Sequence, residues 1–158
     1  MENSHKNKNG RIVSVDLSLS DNRFCLYNIY ETNDQRKQQY FLHDLSAYLM
    51  SNTNTERLTV GSDWNITLQS IDKKGGTLWK PTTARDKLLI MMNESALTDI
   101  FRERNLQKIS STYESKALKL TSRIDLFLIA QHLTKWVERV ELQKVSNSPD
   151  HRAVRLTI

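Results

Sequence analysis

The sequence predicts a layered α/β domain in which strands pair in both parallel and antiparallel directions. Three observations predict it: two alternating strands come first, two amphipathic helices then alternate with short strands, and a run of strands closes the chain. The expected order is β-β-α-β-α-β-β-β, without internal repeats or low-complexity segments. A chain of 158 residues is long enough for one domain with a real core.

The first two strands are expected to form a hairpin. Residues 12–19 alternate between apolar and polar side chains, and residues 24–30 do so again after the turn residues Ser20, Asp21 and Asn22. Successive side chains of a strand point to opposite faces, so each alternation places one set of side chains on a common face. In the first strand that set is Val13, Val15, Leu17 and Leu19.

Two helices follow the hairpin, separated by a strand and a loop. Residues 34–52 place apolar side chains at helical spacing, and Asn33 can cap this helix. A short strand is expected at 57–63, a loop at 72–81, and then a second helix that Thr83 caps. The apolar stripes are Phe41, Leu42, Leu45, Tyr48 and Leu49 in the first helix, and Leu88, Leu89, Met91 and Met92 in the second.

Strands dominate the last third of the chain. The segment 123–130 is apolar on both faces, which is typical of a strand buried in a sheet. The polar residues 1–10 are expected to form a disordered tail, so that the domain runs from residue 11 to residue 158. The chain ends inside a strand pattern, which indicates a piece of a longer protein. The strands are expected at 111–115, 123–130, 137–145 and 153–158.

The composition argues against a membrane protein and against a secreted one. Only 38% of the residues are hydrophobic, the mean hydropathy is -0.58, and no apolar run approaches the roughly 20 residues that span a bilayer. The N-terminus lacks the apolar segment of a secretory signal. The single cysteine, Cys25, excludes an intrachain disulfide. These observations favour a nuclear or cytoplasmic protein.

The chain is basic, with a net charge of +5 and a pI of about 9.4. Such a charge favours a polyanionic partner, although many soluble domains carry it and that alternative stays open. The positive charge is concentrated in residues 71–87, where a loop that follows phosphates is expected. The cations of this segment are Lys73, Lys74, Lys80, Arg85 and Lys87, against Asp72 and Asp86.

Two polar residues, Asp63 and Asn65, stand at the end of an apolar strand. Being two apart, they lie on the same side of an extended chain. A carboxylate can orient or deprotonate a water for attack on phosphorus, and an amide can donate a hydrogen bond to a phosphate oxygen or bind a hard cation. The alternative is an ordinary polar turn after a strand.

Asp125 and the pair Asp150-His151 are the next candidates. Asp125 lies in a strand that otherwise looks buried, where a lone carboxylate is costly unless it is functional or paired, for instance with Arg123. His151 can protonate a leaving oxygen or stabilise charge at phosphorus, and Asp150 can bind a metal. For this pair the alternative is a polar turn after Pro149.

Aromatic side chains give a weaker signal. Tyr30 ends the second strand on the face of Asn28, and a phenol there can contact a phosphate; the alternative is an aromatic residue that closes an apolar face. The three tryptophans, Trp64, Trp79 and Trp136, are expected to pack in the core or in loops rather than to stack on bases. The sequence contains no glycine-rich phosphate loop, no Cys/His zinc spacing and no Gly-x-Ser-x-Gly elbow.

The order and spacing of these motifs resemble the endonuclease/exonuclease/phosphatase (DNase I-like) superfamily. Within it, the chain is most similar to the endonuclease domain of non-LTR (long interspersed) retrotransposons. The resemblance covers nearly the whole chain, from Gly10 onward. Its motifs are Asn28-Ile29-Tyr30, Gly61-Ser62-Asp63-Trp64-Asn65, Ser122-Arg123-Ile124-Asp125 and Asp150-His151.

The resemblance implies a four-layer α/β/β/α sandwich that cleaves phosphodiesters of DNA with a divalent cation, Mg²⁺ or Mn²⁺. By position, Asp63 would orient the attacking water and Asn65 would bind the scissile phosphate. Tyr30 would stabilise the phosphate or the leaving group. Asp125 would support this group from the neighbouring strand.

At the end of the chain, the resemblance implies that Asp150 contributes to metal binding and holds His151, which would contact the phosphorus. Thr112 would contact the phosphate or support a residue that does. The other implied contacts to phosphate or DNA are Asn28, Lys73, Lys74 and Arg123.

The resemblance is incomplete. The chain matches the C-terminal two-thirds of the domain, and the N-terminal part, with an early Asn and the Glu that is the principal metal ligand, has no counterpart. Glu2 lies in the tail and Glu31 in a loop, so neither replaces that Glu. Glu31-Thr32 stand where the family has a small residue and Pro, and Pro149 stands where it has Ser. An incomplete sheet leaves an edge and part of the core uncovered, so marginal stability or association is expected.

Three interpretations of function therefore stay open. The first is a DNA endonuclease that works with the rest of a retrotransposon polyprotein. The second is a catalytically inactive nucleic-acid-binding remnant, and the third is a phosphatase on the same scaffold. The sequence leaves the oligomeric state undecided. A binding remnant would use Lys73, Lys74, Lys80, Arg85, Lys116, Lys119 and Arg123.

Overall fold

The computed structural model describes residues 3–6, 10–19, 22–52 and 58–158. The strands are β1 (Asn3–Lys6), β2 (Ile12–Leu19), β3 (Asn22–Tyr30), β4 (Leu58–Asp63), β5 (Lys73–Gly75), β6 (Leu97–Asp99), β7 (Tyr113–Ser115), β8 (Leu120–Ser122), β9 (Asp125–Ala130), β10 (Arg139–Lys144) and β11 (Arg152–Thr157). The helices are α1 (Gln35–Asn52), α2 (Thr83–Glu94) and α3 (Ile100–Arg104).

The largest sheet has six strands in the order β1-β2-β3-β4-β9-β6. β3 and β4 are parallel, and the other neighbours in this sheet are antiparallel. A parallel pair needs a crossover connection, and α1 provides it between β3 and β4. The expected hairpin of β2 and β3 and the mixed strand pairing are confirmed.

One face of this sheet shares a core with α1 and α2. The helical spacing of apolar residues turns one stripe of each helix inward, and each large apolar side chain that is fully buried stabilises the fold by about 1.5–3 kcal/mol. Phe41, Tyr48, Leu89 and Met92 of the predicted stripes pack at its margin. The core includes Ile12, Tyr27, Ile29, Leu42, Leu45, Leu49, Leu58, Val60, Leu88, Met91, Leu126 and Leu128.

The opposite face of the sheet is more open. It carries Val13 and Val15 of the alternating set predicted for β2, and Val13 is 39% exposed. A cleft of about 530 Å³ lies over this face, lined by Leu26 and Phe127 and bordered by Val154 of β11. An apolar face with an open cleft agrees with the expectation of marginal stability or association, which stays a prediction.

Two small sheets complete the fold, one with the order β5-β8-β7 and one formed by β10 and β11. They meet at a bridge between Tyr113 and His151. On either side of it, the amide of Glu114 donates to the Asp150 carbonyl at 2.8 Å and the amide of Arg152 donates to the Thr112 carbonyl at 2.7 Å. The start of β11 is therefore fixed against β7.

A buried ionic network joins the small sheet to the large one. Arg123 is fully buried, and it donates from Nε to Asp72 at 2.7 Å and from Nη2 to Asp99 at 2.6 Å. Arg102 donates to the same Asp72 carboxylate, and the Arg123 guanidinium lies 5.2 Å from the centre of the Phe101 ring. Arg123 is therefore not available for the predicted contact with DNA. Its guanidinium is already satisfied by two carboxylates, and neither of them is Asp125.

Several local expectations are corrected. Residues 3–6 of the predicted tail form β1, because backbone hydrogen bonds to the edge of β2 need no apolar side chains. Asp34 rather than Asn33 caps α1, since its carboxylate accepts from the amides of Arg36 and Lys37. Thr82 rather than Thr83 caps α2.

Short elements went unpredicted because three to five residues give no periodicity. β5, β6, β8 and α3 are the elements concerned, and β5 lies in the predicted loop at 72–81. The turn residues Ser20 and Asp21 lie outside the described residues, as do residues 1, 2 and 7–9 of the tail, Glu2 among them. Within the described part of the chain, no helix is long and apolar enough to cross a bilayer.

Gly75 is required by the turn that follows β5. Its φ is +80°, and a Cβ added there would lie 2.0 Å from the Lys119 carbonyl oxygen. We expect Gly75→Ala to lower the free energy of unfolding by about 1–3 kcal/mol, because the left-handed backbone and the backbone clash act together. Gly76→Ala is the matched control: φ is +62° but the nearest atom is 3.5 Å away, so the loss in urea melts should be smaller. Equal losses would contradict the clash.

Candidate active site

Three side chains form a row across the end of the large sheet, on the face away from the helices. Tyr30 of β3 pairs with Asp63 of β4, and Asp63 pairs with Asp125 of β9. Residues directly opposite in a sheet place their side chains on the same face. The strand register therefore brings together three of the predicted site residues that are far apart in sequence. Tyr30 is 72% exposed, so its phenol is open to a ligand.

His151, the residue before β11, joins this row. Its Nδ1 lies 3.0 Å from Oδ2 of Asp125, and its ring centre is 5.0 Å from that of Tyr113. Asp125 thus fixes the imidazole and leaves Nε2 as its second nitrogen. This corrects the prediction that Asp150 holds His151: Asp150 is exposed and is fixed through its carbonyl.

Thr112 positions Asp125. Its hydroxyl is buried and accepts hydrogen bonds from the amides of Ile124 and Asp125, both at 3.0 Å. Of the two roles that the resemblance implied, support of the site is the one that the geometry favours. A buried hydroxyl whose oxygen is engaged by two amides is poorly placed to bind a phosphate.

The turn after β4 sets the position of Asn65. Trp64 is fully buried, and its amide donates to the Ile124 carbonyl at 2.8 Å, which confirms its predicted role in the core. Asn65 has a φ of 51°, a conformation that Asn tolerates better than most residues. Its amide donates to the Asp63 carboxylate at 3.0 Å, and its side chain donates to the Glu31 carbonyl at 3.3 Å.

Burial changes the acid–base properties of two carboxyl groups here. It raises the pKa of Asp63; repulsion by Asp125 adds to this, and the hydrogen bond from the Asn65 amide and the charge of His151 oppose it. Burial also raises the pKa of Glu31 to about 7, against the hydrogen bond from Thr32 and the charge of Arg11. An Asp with a raised pKa accepts a proton more readily near neutral pH.

Glu31 is a feature of this region that the sequence did not reveal. It is 1% exposed; one carboxyl oxygen accepts from the Thr32 amide at 2.7 Å, and the other, Oε2, has no hydrogen-bond partner among the described residues. The sequence placed it in a loop, where a Glu is usually solvated. Only its position directly after Tyr30 hinted at a link to the site.

Asp63, Asp125 and His151 offer one ligand atom each within 4.8 Å of one another. Two carboxylates suit a hard cation such as Mg²⁺, which binds through one or two carboxylates and keeps several waters. Imidazole is less suited to it, and Nδ1 of His151 is already directed at Asp125. The two carboxylates therefore fit a divalent cation, whereas His151 is oriented by Asp125 and fits a role other than that of a metal ligand. Asp150, the predicted ligand, is not in this group.

The remaining predicted contacts surround the row. Asn28 is opposite Gly61, two residues from Asp63, and lines the 530 Å³ cleft beside the site. Lys74 is exposed on β5. Lys73 and Asn65 both line a second groove, of about 290 Å³.

A search of solved structures finds similar folds among nucleases. The endonuclease domain of TRAS1, a telomere-specific non-LTR retrotransposon, aligns with 99% of this chain and 68% of its own, at 17% identity and a TM-score of 0.75. An AP endonuclease from Archaeoglobus fulgidus aligns with 97% of this chain and 69% of its own, at 16% identity and a TM-score of 0.78. The chain has the DNase I-like endonuclease fold. A 3'-5' exonuclease (NExo) from Neisseria meningitidis shares this fold. It aligns with 92% of this chain and 63% of its own, at 18% identity and a TM-score of 0.73.

A curated sequence relative of this chain is a transposon protein. It is the Transposon TX1 uncharacterized 149 kDa protein of Xenopus laevis, 27% identical over 151 residues and 93% of this chain. The chain spans 11% of that protein. No protein-family model matches the chain. The predicted resemblance to DNase I-like endonucleases and retrotransposons is confirmed.

Proposed function

We propose that this chain hydrolyses phosphodiester bonds of DNA as a metal-dependent endonuclease unit of a retrotransposon polyprotein. The cross-strand row of Tyr30, Asp63 and Asp125, with His151 bonded to Asp125, is the observation that carries the proposal. The fold similarity to nucleases and the transposon relative support it. A nuclear or cytoplasmic location remains the expectation.

In this proposal, Asp63 orients a water molecule and accepts its proton. Its raised pKa and its place on the open face of the sheet suit that task. Asn65, held in position by its hydrogen bonds to Asp63 and the Glu31 carbonyl, keeps one amide hydrogen for a phosphate oxygen. The attack needs positioned charge more than covalent chemistry.

On the other side of the phosphate, His151 presents Nε2 while Asp125 holds Nδ1. A protonated imidazole in this position stabilises negative charge on the phosphorus oxygens, and Asp125 stabilises that imidazolium. Tyr30 adds a phenol from the neighbouring strand. A divalent cation held by the carboxylates of Asp63 and Asp125 would neutralise charge on the phosphate; Mg²⁺ and Mn²⁺ are the ions that such oxygen ligands favour.

The test is nicking of supercoiled plasmid by the purified chain with and without MgCl₂ or MnCl₂. We expect metal-dependent nicking that the double variant Asp63→Asn/His151→Gln loses. The matched control is His43→Gln/Asp44→Asn, the same two changes at exposed positions of α1, which should nick like the wild type. Nicking that survives in the site variant, or no nicking by folded wild type, would overturn the proposal.

The same preparations should be offered a small phosphomonoester, p-nitrophenyl phosphate. A DNA endonuclease is expected to leave it largely intact. Rapid hydrolysis that depends on Asp63, without nicking of DNA, would favour a phosphatase on the same scaffold.

A further inference from the structure

The carboxyl group of Glu31 is buried beside the candidate active site, and the proposed reaction does not use it. Glu31 directly follows Tyr30, but Tyr30 is 72% exposed and Glu31 only 1%. Oε1 accepts from the Thr32 amide at 2.7 Å, and the buried Oε2 has no hydrogen-bond partner among the described residues. A neutral carboxyl group tolerates such a place far better than a charged one, because an ionised group loses more solvation on burial.

The backbone of Glu31 is joined to the turn that carries Asn65. The Asn65 side chain donates to the Glu31 carbonyl at 3.3 Å. Gln38, which is 2% exposed, donates from Nε2 to the Thr32 carbonyl at 2.7 Å and to the Trp64 carbonyl at 3.5 Å. These bonds connect the chain after β3 to the turn after β4. A shift of residues 31–32 therefore changes the position of the Asn65 amide.

The charge of Glu31 depends on pH near neutrality. Burial raises its pKa to about 7, and the positive charge of Arg11, two residues from the end of β2's partner edge at Ile12, acts in the opposite direction. Arg11 therefore helps to set the pH at which Glu31 loses its proton. Titratable groups on the neighbouring elements include Asp34 and Lys37, which pair with each other at the start of α1, and Asp63, Asp125 and His151 of the site.

We propose that Glu31 is a positioning residue for Asn65 and makes cleavage depend on its own protonation state, an inference that rests on the proposed function. While Glu31 is protonated, its side chain stays buried and its backbone carbonyl orients the Asn65 amide. Once the proton leaves, the carboxylate needs a donor or water that no described residue supplies to Oε2, and residues 31–32 shift. Asn65 then loses its orientation toward the phosphate.

The first test follows the side-chain amide of Asn65 by NMR between about pH 5 and pH 9, in EDTA and without substrate. We expect its signals to titrate with a component near pH 7 in the wild type, and Glu31→Gln to lack that component. Asp63 contributes in both proteins, since it accepts from the Asn65 backbone amide, and the difference isolates Glu31. The control signal is Asn105, whose side chain also donates to a backbone carbonyl, that of Phe101 at 3.0 Å; it should be the same in both proteins.

Arg11→Gln keeps Glu31 in place and tests the same link if Glu31→Gln does not fold. It removes the charge that lowers the pKa of Glu31, so the Asn65 component should move to higher pH. Arg139→Gln, at a side chain that is 69% exposed, is the control and should leave the component where it is. The proposal is wrong if the component does not move upward in Arg11→Gln, or if it persists in Glu31→Gln.

The second test is the ratio of the nicking rate of Glu31→Gln to that of the wild type, measured with MgCl₂ at several pH values. We expect a ratio near one at about pH 5 and a rise of about 5- to 150-fold by pH 9, the usual range for coupling between two sites. The exposed control Glu103→Gln should give a ratio near one throughout. A ratio for Glu31→Gln that does not change with pH would mean that Glu31 contributes to the structure alone.

Positioning and cleavage fail separately. A titration of Asn65 that depends on Glu31, without any nicking, would reject the nuclease and keep Glu31 as the residue that positions Asn65. Nicking with the same pH dependence in wild type and Glu31→Gln would keep the nuclease and reject the role of Glu31. Thermal melts at each pH show that every chain is folded before either result is read.

Discussion

Arg123→Gln is expected to lower the free energy of unfolding by about 3–5 kcal/mol, because it leaves the buried Asp99 carboxylate without a cation and removes one of the two cations that Asp72 contacts. Arg123 is fully buried and bonds Asp72 and Asp99 with both ends of its guanidinium. Burial alone would lower the pKa of this guanidinium, and the two carboxylates reverse that, so that its pKa is raised. Arg102 still pairs with Asp72 in the variant, but Asp99 loses its ionic partner.

The measurement is a thermal melt of the wild type and the variant, where a loss of this size corresponds to a shift of roughly 6–20 °C. Arg139→Gln is the matched control: Arg139 lies 3.6 Å from Glu141, and its side chain is 69% exposed. Exposed pairs of this kind contribute about 0–1 kcal/mol. Similar melting temperatures for the two variants would show that the network does not stabilise the fold as its geometry suggests.

The network also has a consequence for the site. The amide of Arg123, two residues before Asp125, donates to the Asp72 carbonyl at 2.8 Å. The side chain and the backbone of Arg123 therefore both fix the segment just before β9. Asp125, the first residue of β9, contacts His151. In Arg123→Gln we expect nicking to fall at temperatures where the chain is still folded.

Glu31→Gln is expected to remove a loss of stability that the wild type shows on going from about pH 5 to pH 8. The pKa of Glu31 is raised by burial from 4.5 to about 7 in the folded chain. Between these values the unfolded chain releases the proton and the folded chain keeps it. The unfolded state thus binds fewer protons, and the free energy of unfolding decreases as the pH rises.

The size of this effect follows from the shift in pKa and amounts to about 3 kcal/mol over the whole window. The stabilising contribution of protonated Glu31 is fully present below about pH 4.5 and is lost as the pH rises through about 7. Above that pH the folded chain must hold a buried carboxylate whose Oε2 has no partner in the described part of the chain. The glutamine side chain of the variant is neutral throughout, so the variant should show a flatter profile and exceed the wild type in stability at pH 8.

The experiment is urea unfolding at several pH values for wild type, Glu31→Gln and the exposed control Glu103→Gln. The difference between the profiles of wild type and variant isolates Glu31 from every other titratable group. A control profile like that of the wild type is expected. If the profiles of wild type and Glu31→Gln run parallel, Glu31 is not the group that titrates.

Local patterns in the sequence predict the α/β class, the long helices, the main strands and four members of the candidate site. Tyr30, Asp63, Asn65 and Asp125 stand at strand ends, and local periodicity is enough to mark where apolar strands stop. The order of the motifs added the resemblance that the fold comparison confirmed. Short elements such as β6 and α3 cannot be predicted in this way, because three to five residues are too few to show a periodic pattern of apolar side chains.

Which of these residues contact one another depends on how the strands and helices fold together. Arg123 and Asp72 are 51 positions apart, and His151 and Asp125 are 26 apart. Neither separation leaves a trace in local spacing. For that reason the sequence prediction gives His151 its neighbour Asp150 as a partner, and it places Arg123 on DNA rather than in the core. Burial of Glu31 likewise arises from segments that fold together from distant parts of the chain.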